Sequence, residues 1–158
     1  MVTDDLADLA VAFEETGIIV TVDTKSGELA MDSSVLFGGD SAELTREGKA
    51  FLNKFVKVYS DIIFSEEYDG FISKTIVEGH TAPVTGSTYE SGLPLSEKRA
   101  KNVMKYCVSK EIGVDTAKLK STLEAIGCSN SEPVYDKNGN VDMAASRRVS
   151  FKFVVKLG

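Results

Sequence analysis

Between Leu44 and Ile63 the apolar residues Leu44, Phe51, Leu52, Phe55, Val58, Tyr59, Ile62 and Ile63 recur at three- and four-residue intervals. That period predicts an amphipathic helix with Thr45 as its N-cap. A helix with so wide an apolar stripe must lay it against a second layer. The final stretch, RRVSFKFVVKLG, offers one: Val149, Phe151, Phe153 and Val155 alternate with Ser150, Lys152 and Lys156. Strict alternation is the mark of a strand with one buried face, so this helix and this strand together require a layered α/β arrangement.

The remaining segments fill in that arrangement. DDLADLAVAFEETG places Leu6, Leu9, Ala10 and Phe13 at helical spacing before Gly17, which predicts a short N-terminal helix or linker over residues 1–16. IIVTVD and ELAMD read as strands around a TKSG turn, GGDSAEL as a loop, and FISKTIVEG as a β-branched strand. Ser96 is expected to cap the next helix, with Leu95 and Ala100 as a hydrophobic staple and Val103, Met104, Cys107 and Val108 continuing its apolar face. GVDTAKLKSTLEAIG reads as a brief helix and a strand, and SNSEPVYDKNGNVDMAAS as a long polar loop. The order predicts an α+β sandwich, residues 17–158 as a single domain, with helices on one face of a mixed sheet. The alternating terminal strand leaves the other face partly exposed.

Composition narrows the function classes. The 158 residues, 42% hydrophobic, suit one soluble domain with one core. A net charge of -6 with only 18 basic residues argues against a nucleic-acid partner. No run approaches the length of a membrane span, and MVTDDLADLA lacks the profile of a signal peptide, while a longer parent leaves room for an upstream export or membrane segment.

Cys107 and Cys128 lack metal spacing, so two buried thiols are expected, with a disulfide as the alternative. A single histidine, His80, supplies zinc chemistry poorly, and neither a metal nor a cofactor is expected. Ser87, Ser91 or Cys107 beside His80, with Glu78 or Glu90 as orienting acid, would be needed for nucleophilic catalysis. No nucleophile elbow surrounds them, and His80 is expected to hydrogen-bond the following loop instead. YDKNGNVD resembles a calcium loop but has Gly139 at the fourth position and Arg147 at the twelfth, so it reads as a polar turn.

EGHTA and YESGLPLSEKRAKNV, followed by AIGCSNSEP and SRRVSFKF, together with SSVLFGGDSAELTREGKAFL, carry a resemblance that covers most of the chain from about Gly17. They resemble the C-terminal peptidoglycan-binding domain of outer membrane protein A, peptidoglycan-associated lipoproteins and MotB-type flagellar stator proteins. Its pattern is G-H-T-D, L-S-x-x-R-A, G-x-G-x-x-x-P and N-R-R-V. The resemblance implies a β-α-β-α-β-β fold and a pocket for the diamino acid of the stem peptide, usually diaminopimelate. In the family the Asp pairs with the ligand's amino group and the Arg with a carboxylate. The second role falls on Arg99 and the first on Ala82, which cannot play it. Tyr89-Glu90 replaces the usual Y-N, the loop from His80 to Leu95 is slightly longer than typical, and Ser146 replaces the Asn of N-R-R.

Just after a Ser96 cap, Arg99 would oppose the helix macrodipole at a cost of about 0.3–1 kcal/mol, so it should face an anion. The free N–H groups after Ser96 and the guanidinium fork would then form a carboxylate receptor. A surface Arg paired with Glu97, Glu90 or Glu43 is the alternative. Arg147 shares the parity of Val149 and Phe151 and is the better pocket candidate than Arg148. The candidate ligand-binding set is therefore Thr81, Ala82, Tyr89, Glu90, Ser96, Arg99 and Arg147, with Tyr89, Glu90 or Glu78 as neighbours able to replace the missing Asp.

The expected function is a non-catalytic module, periplasmic or elsewhere in the cell envelope, that anchors an assembly to the wall with weakened diaminopimelate recognition. Its expected partners are the carboxylate of a peptidoglycan stem peptide, membrane-anchored or envelope proteins, and a second copy of itself in a homodimer. The alternative is a structural or protein-interaction domain that has lost wall binding.

Overall fold

The computed structural model describes residues 21–23, 28–39, 41–66, 72–109 and 116–155. The helix expected over 1–16 and the TKSG turn lie outside these residues. The chain runs β1 (Thr21–Asp23), β2 (Glu28–Asp32), the one-turn helix α1 (Ser33–Leu36), α2 (Arg46–Ile63), β3 (Ile72–His80), α3 (Tyr89–Cys107), α4 (Thr116–Thr122), β4 (Leu123–Ser129), the short α5 (Met143–Ser146) and β5 (Arg148–Val155). The strands form one sheet in the order β1-β2-β5-β3-β4, with β3 and β4 parallel and the other neighbours antiparallel. This is the mixed α+β sandwich expected from the sequence, and β2, α2, β3, α3, β4 and β5 reproduce the β-α-β-α-β-β succession.

The two periodicities meet in the core. The Gly48 N–H donates to Thr45 Oγ1 at 2.9 Å, which makes Thr45 the cap of α2. Leu52, Phe55, Val56, Tyr59 and Ile63 are buried along α2, as are Val149, Phe151 and Phe153 on β5. The Phe55 ring lies 4.8 Å from that of Phe151, and Tyr59 lies 5.9 Å from Phe153. The Tyr59 hydroxyl, buried, donates to Thr75 Oγ1, so the one polar atom in this aromatic stack is satisfied. On the opposite face Lys74 pairs with Glu124 at 3.4 Å and Ile126 is exposed. Among the described residues that face is closed at one end, where Glu78, His80, Arg148 and Ser150 are buried.

Helix α3 departs from expectation. It starts at Tyr89, not after Ser96, because Thr88 and Ser91 cap each other: the Ser91 N–H donates to Thr88 Oγ1 and the Thr88 N–H to Ser91 Oγ. Pro94 makes a break look natural, since a proline inside a helix costs about 3 kcal/mol. External contacts hold the turn ahead of it. Ser129 Oγ donates to the Tyr89 carbonyl at 2.6 Å, and Gly92 packs against the hydroxyls of Ser129 and Thr81 so closely that a Cβ there would meet both.

Further along, α3 rests almost backbone to backbone on the sheet. A Cβ on Gly79 would collide with the Ser96 carbonyl, and one on Gly127 with Ser96 and Glu97. Cys107, the last residue of α3, is sealed in the core, and both cysteines are free thiols. The YDKNGNVD segment is a tight polar turn in which the Asp136 carboxylate accepts from the N–H groups of Asn138 and Asn140. No helix among the described residues is long and apolar enough to cross a membrane.

Candidate functional site

Past the last rung of β3, the Thr81 N–H donates to the Ser129 carbonyl at 2.8 Å, and the Val84 N–H to the Ala82 carbonyl at 2.9 Å. This turn forms one wall of a cavity of about 290 Å³. The opposite wall is the α3 face of Ser91, Leu95 and Arg99, residues four apart that stack along one side of a helix. Gly39 from the α1–α2 loop and Arg147 from the end of α5 complete it. The structure thus brings together four of the sequence candidates: Thr81, Ala82, Arg99 and Arg147.

The other three fall elsewhere. Ser96 is buried inside α3, where its hydroxyl donates to the Leu93 carbonyl and accepts from the Ser129 N–H. It caps no helix and exposes no free N–H groups. Tyr89 and Glu90 are exposed in the first turn and do not line the cavity. Glu78, the remaining stand-in for the missing Asp, is buried on the far face of the sheet and contacts His80. His80 therefore bonds its own strand rather than the following loop. Ser87, Ser91, Leu95 and Gly39 are lining residues that the sequence reading missed. The signal for two of them is the 91, 95, 99 spacing, which becomes visible once the helix start is placed at Thr88.

Arg99 is mid-helix, so the macrodipole argument no longer applies to it. It is only 5% exposed, so it is not the surface residue of the alternative expectation. Its Nε donates to the Ser41 carbonyl at 3.0 Å and its Nη2 to the Gly39 carbonyl at 2.5 Å, while its guanidinium carbon sits 5.0 Å from the Phe37 ring centre. The side chain fastens the α1–α2 loop to α3 and also presents charge to the cavity. A second cavity of about 300 Å³, with Asp32, Ser33 and Phe37 in its wall, shares Gly39, Arg99 and Arg147 with the first. Two guanidinium groups thus stand between two hollows, a setting suited to an anion.

Arg148 is turned to the far face. Its Nε donates to Glu28 Oε1 at 2.8 Å and its Nη1 to the Glu132 carbonyl at 3.0 Å. Ser146, in the place of the family Asn, is buried and accepts from the Val134 N–H, which holds down the loop that follows β4. Burial pushes the Glu28 carboxyl up, but hydrogen bonds from Ser150 and Arg148 and the charges of Arg148 and His80 outweigh it and leave Glu28 below its ordinary value of 4.5. A depressed carboxyl stabilises the fold fully above that ordinary value, and its contribution fades as pH falls from there through the lower folded value. Glu28→Gln should therefore flatten the acid limb of stability below pH 4.5 while costing stability at pH 7. Urea unfolding across pH 3–7 checks this, and parallel acid limbs in both proteins would refute it.

No family model matches the chain. It is 34% identical over 141 residues to Zorya protein ZorB of Escherichia coli, an alignment that takes in 84% of this chain and 59% of the relative. It is 31% identical over 112 residues to outer membrane protein A of Escherichia fergusonii, taking in 71% of this chain and 40% of the relative. The chain thus spans well under two thirds of these relatives. Among solved structures, the type VI secretion cell wall anchor of Pseudomonas aeruginosa superposes with a TM-score of 0.62 at 20% identity, covering 96% of this chain and 97% of the other. A MotB-like protein from Desulfovibrio vulgaris gives 0.64 at 19% identity, covering 97% and 93%. The folds agree, the sequence relatives include outer membrane protein A, and the G-H-T, L-S-x-x-R-A and R-R-V stretches each contribute to one cavity through Thr81, Arg99 and Arg147; the chain belongs to the OmpA/MotB-like peptidoglycan-binding domain family.

Proposed function

We propose that this domain is a non-catalytic wall-binding module, periplasmic or elsewhere in the cell envelope, that anchors an assembly by gripping a carboxylate of the peptidoglycan stem peptide. The observation that carries this reading is the placement of Arg99 and Arg147 in one cavity with Thr81 and Ala82. A carboxylate entering there meets two guanidinium groups, whose planar forks suit two parallel hydrogen bonds. The cell wall anchor among the solved relatives supports the same role.

Recognition of the diamino acid's ammonium group is weakened in this reading, because Ala82 offers a methyl group where the family has Asp. Neither Glu90 nor Glu78 reaches the cavity to replace it. A hydrogen bond to a charged group contributes about 1.5–3 kcal/mol, which converts to roughly ten- to a hundredfold in affinity. Ala82→Asp should therefore tighten binding of diaminopimelate-containing stem peptides by that factor, measured by calorimetric titration. Equal affinity in the two proteins would remove the account of this position.

A second reading is a protein-interaction domain that has lost wall binding. It is favoured by the same methyl group and by the use of Arg99 donors on the Gly39 and Ser41 carbonyls. Co-sedimentation with purified sacculi at low salt separates the two. Retention of the unmodified domain supports wall anchoring, and retention of the Ala82→Asp variant alone supports the second.

A further inference from the structure

Behind the pocket, at the closed end of the far sheet face, four side chains from distant parts of the sequence converge. Glu78 and His80 come from β3, Cys128 from β4 and Glu132 from the segment that follows. Each presents one ligating atom, and the four atoms lie within 4.8 Å of one another, three of them on buried residues. The strand pairing explains the convergence. Gly79 pairs with Gly127 but His80 with Ser129, so Cys128 is an extra residue in β4 at that rung. Cys128 keeps the far-face alternation of Glu124 and Ile126 and so lies beside Glu78 and His80.

We propose that Glu78, His80, Cys128 and Glu132 form a binding site for a single divalent transition-metal ion of the zinc type. One imidazole nitrogen, one thiolate sulfur and two carboxylate oxygens are a donor set that zinc accepts. Bonds of about 2.0–2.3 Å place tetrahedral donors roughly 3.3–3.8 Å apart, so a small contraction of the present cluster closes a shell around an ion. Spacing in the sequence gives no sign of this, because no two of the four follow a metal motif; the parallel β3–β4 pair assembles them.

The hydrogen bonding around the cluster points the same way. His80 Nε2 lies 3.1 Å from Glu78 Oε1, while Nδ1 is buried with no hydrogen-bond partner. Nε2, the nitrogen beside Glu78, is therefore the one placed to ligate, with the ring proton on Nδ1. His80 is 1% exposed, so the imidazole and the groups around it are shut away from water. Two carboxylates and a thiol share the same space. The nearby Arg148 spends its Nε on Glu28 and its Nη1 on the carbonyls of Glu132 and Ser146. The internal contacts of the cluster, His80 with Glu78 and Cys128 with Glu132, are the ones an ion would replace.

An entry route exists at Glu132, which is exposed and borders a cavity of about 710 Å³ together with Glu28 and Arg148. On binding, the Cys128 S–H bond breaks, sulfur keeps the electron pair and forms the metal–sulfur bond, and the proton leaves to solvent. The step involves no change of oxidation state. The bound ion would join the ends of β3 and β4 at the residues immediately before Thr81 and Ser129, and so stiffen the base of the pocket. The proposal does not depend on what that pocket binds.

The test uses the 158-residue chain, stripped with chelator and titrated with Co(II) and then Zn(II). One equivalent of Co(II) should produce a thiolate-to-cobalt charge-transfer band in the near ultraviolet. Zinc should displace it, protect Cys128 from thiol reagents and raise the melting temperature. Cys128→Ser should remove the band. Glu132→Gln, at an exposed position that leaves the fold intact, should weaken binding at least tenfold and keeps the test decisive if the cysteine variant does not fold. A folded protein with no band at stoichiometric Co(II), or Glu132→Gln binding as tightly as the unmodified chain, overturns the proposal.

Discussion

Arg99→Ala should destabilise the domain by about 3 kcal/mol and reduce stem-peptide binding at least a hundredfold, because one side chain serves both fold and pocket. Its Nε and Nη2 donate to the Ser41 and Gly39 carbonyls, and its guanidinium lies over the Phe37 ring. Each charge-assisted bond contributes about 1.5–3 kcal/mol and the ring contact about 0.5–2 kcal/mol, and the three do not add fully because they share one group. Arg99→Lys keeps the charge but not the fork, so it should recover less than half of either loss. Urea unfolding reads the first effect and peptide titration the second. Unchanged stability in Arg99→Ala would show that the α1–α2 loop does not depend on this residue. Lost binding with retained stability would assign Arg99 to the pocket alone.

The second large effect concerns a position with no side chain. Gly79→Ala would push a methyl group into the Ser96 carbonyl of α3, a backbone atom that cannot rotate aside. Overpacking in a well-packed interior costs about 1–3 kcal/mol, and a clash with backbone belongs at the upper end. For a domain of this size that lowers the melting temperature by roughly 6–12 °C. Gly38→Ala is the control, since nothing lies within 4 Å of a Cβ at that position, and its melting temperature should stay within about a degree. Equal melting temperatures for the two variants would mean that α3 can lift off the sheet without penalty.

Where apolar period and secondary structure coincide, the sequence was easy to read. Thr45 and the stripe to Ile63 identified α2 and its cap, and the alternation from Val149 identified β5 and its buried face. Reading failed at α3, where a local signal opposed a tertiary one. Pro94 followed by Leu95-Ser96 has the look of a helix start, yet Ser129 and Thr81, distant or across a loop in sequence, brace an earlier one. That error carried into the site. With the start misplaced, Ser96 looked like a cap with free N–H groups although it is buried inside α3, and Ser91 like a loop residue although it caps the helix and lines the cavity. Arg99 and Arg147, which do line the cavity, were picked out by motif and strand parity, signals that do not depend on where a helix begins. The β3–β4 cluster was illegible for a different reason: alternation puts Cys128 on the face of Glu124 and Ile126, but only the parallel pairing of two distant strands brings it beside Glu78 and His80.

The β3–β5 ladder ends at His80 paired with Arg148, and Ala82 lies two residues beyond that last rung. A change at this position therefore touches no bond that holds the sheet together. The motif's glycines are tied to the fold by the approach of α3, whereas Ala82, although buried, sits in the turn beyond the strand and lines the cavity. Architecture and chemical preference can then be inherited separately. On the wall-binding reading proposed above, a single codon at position 82 would retune what the domain recognises without touching the hydrogen bonds of the sheet.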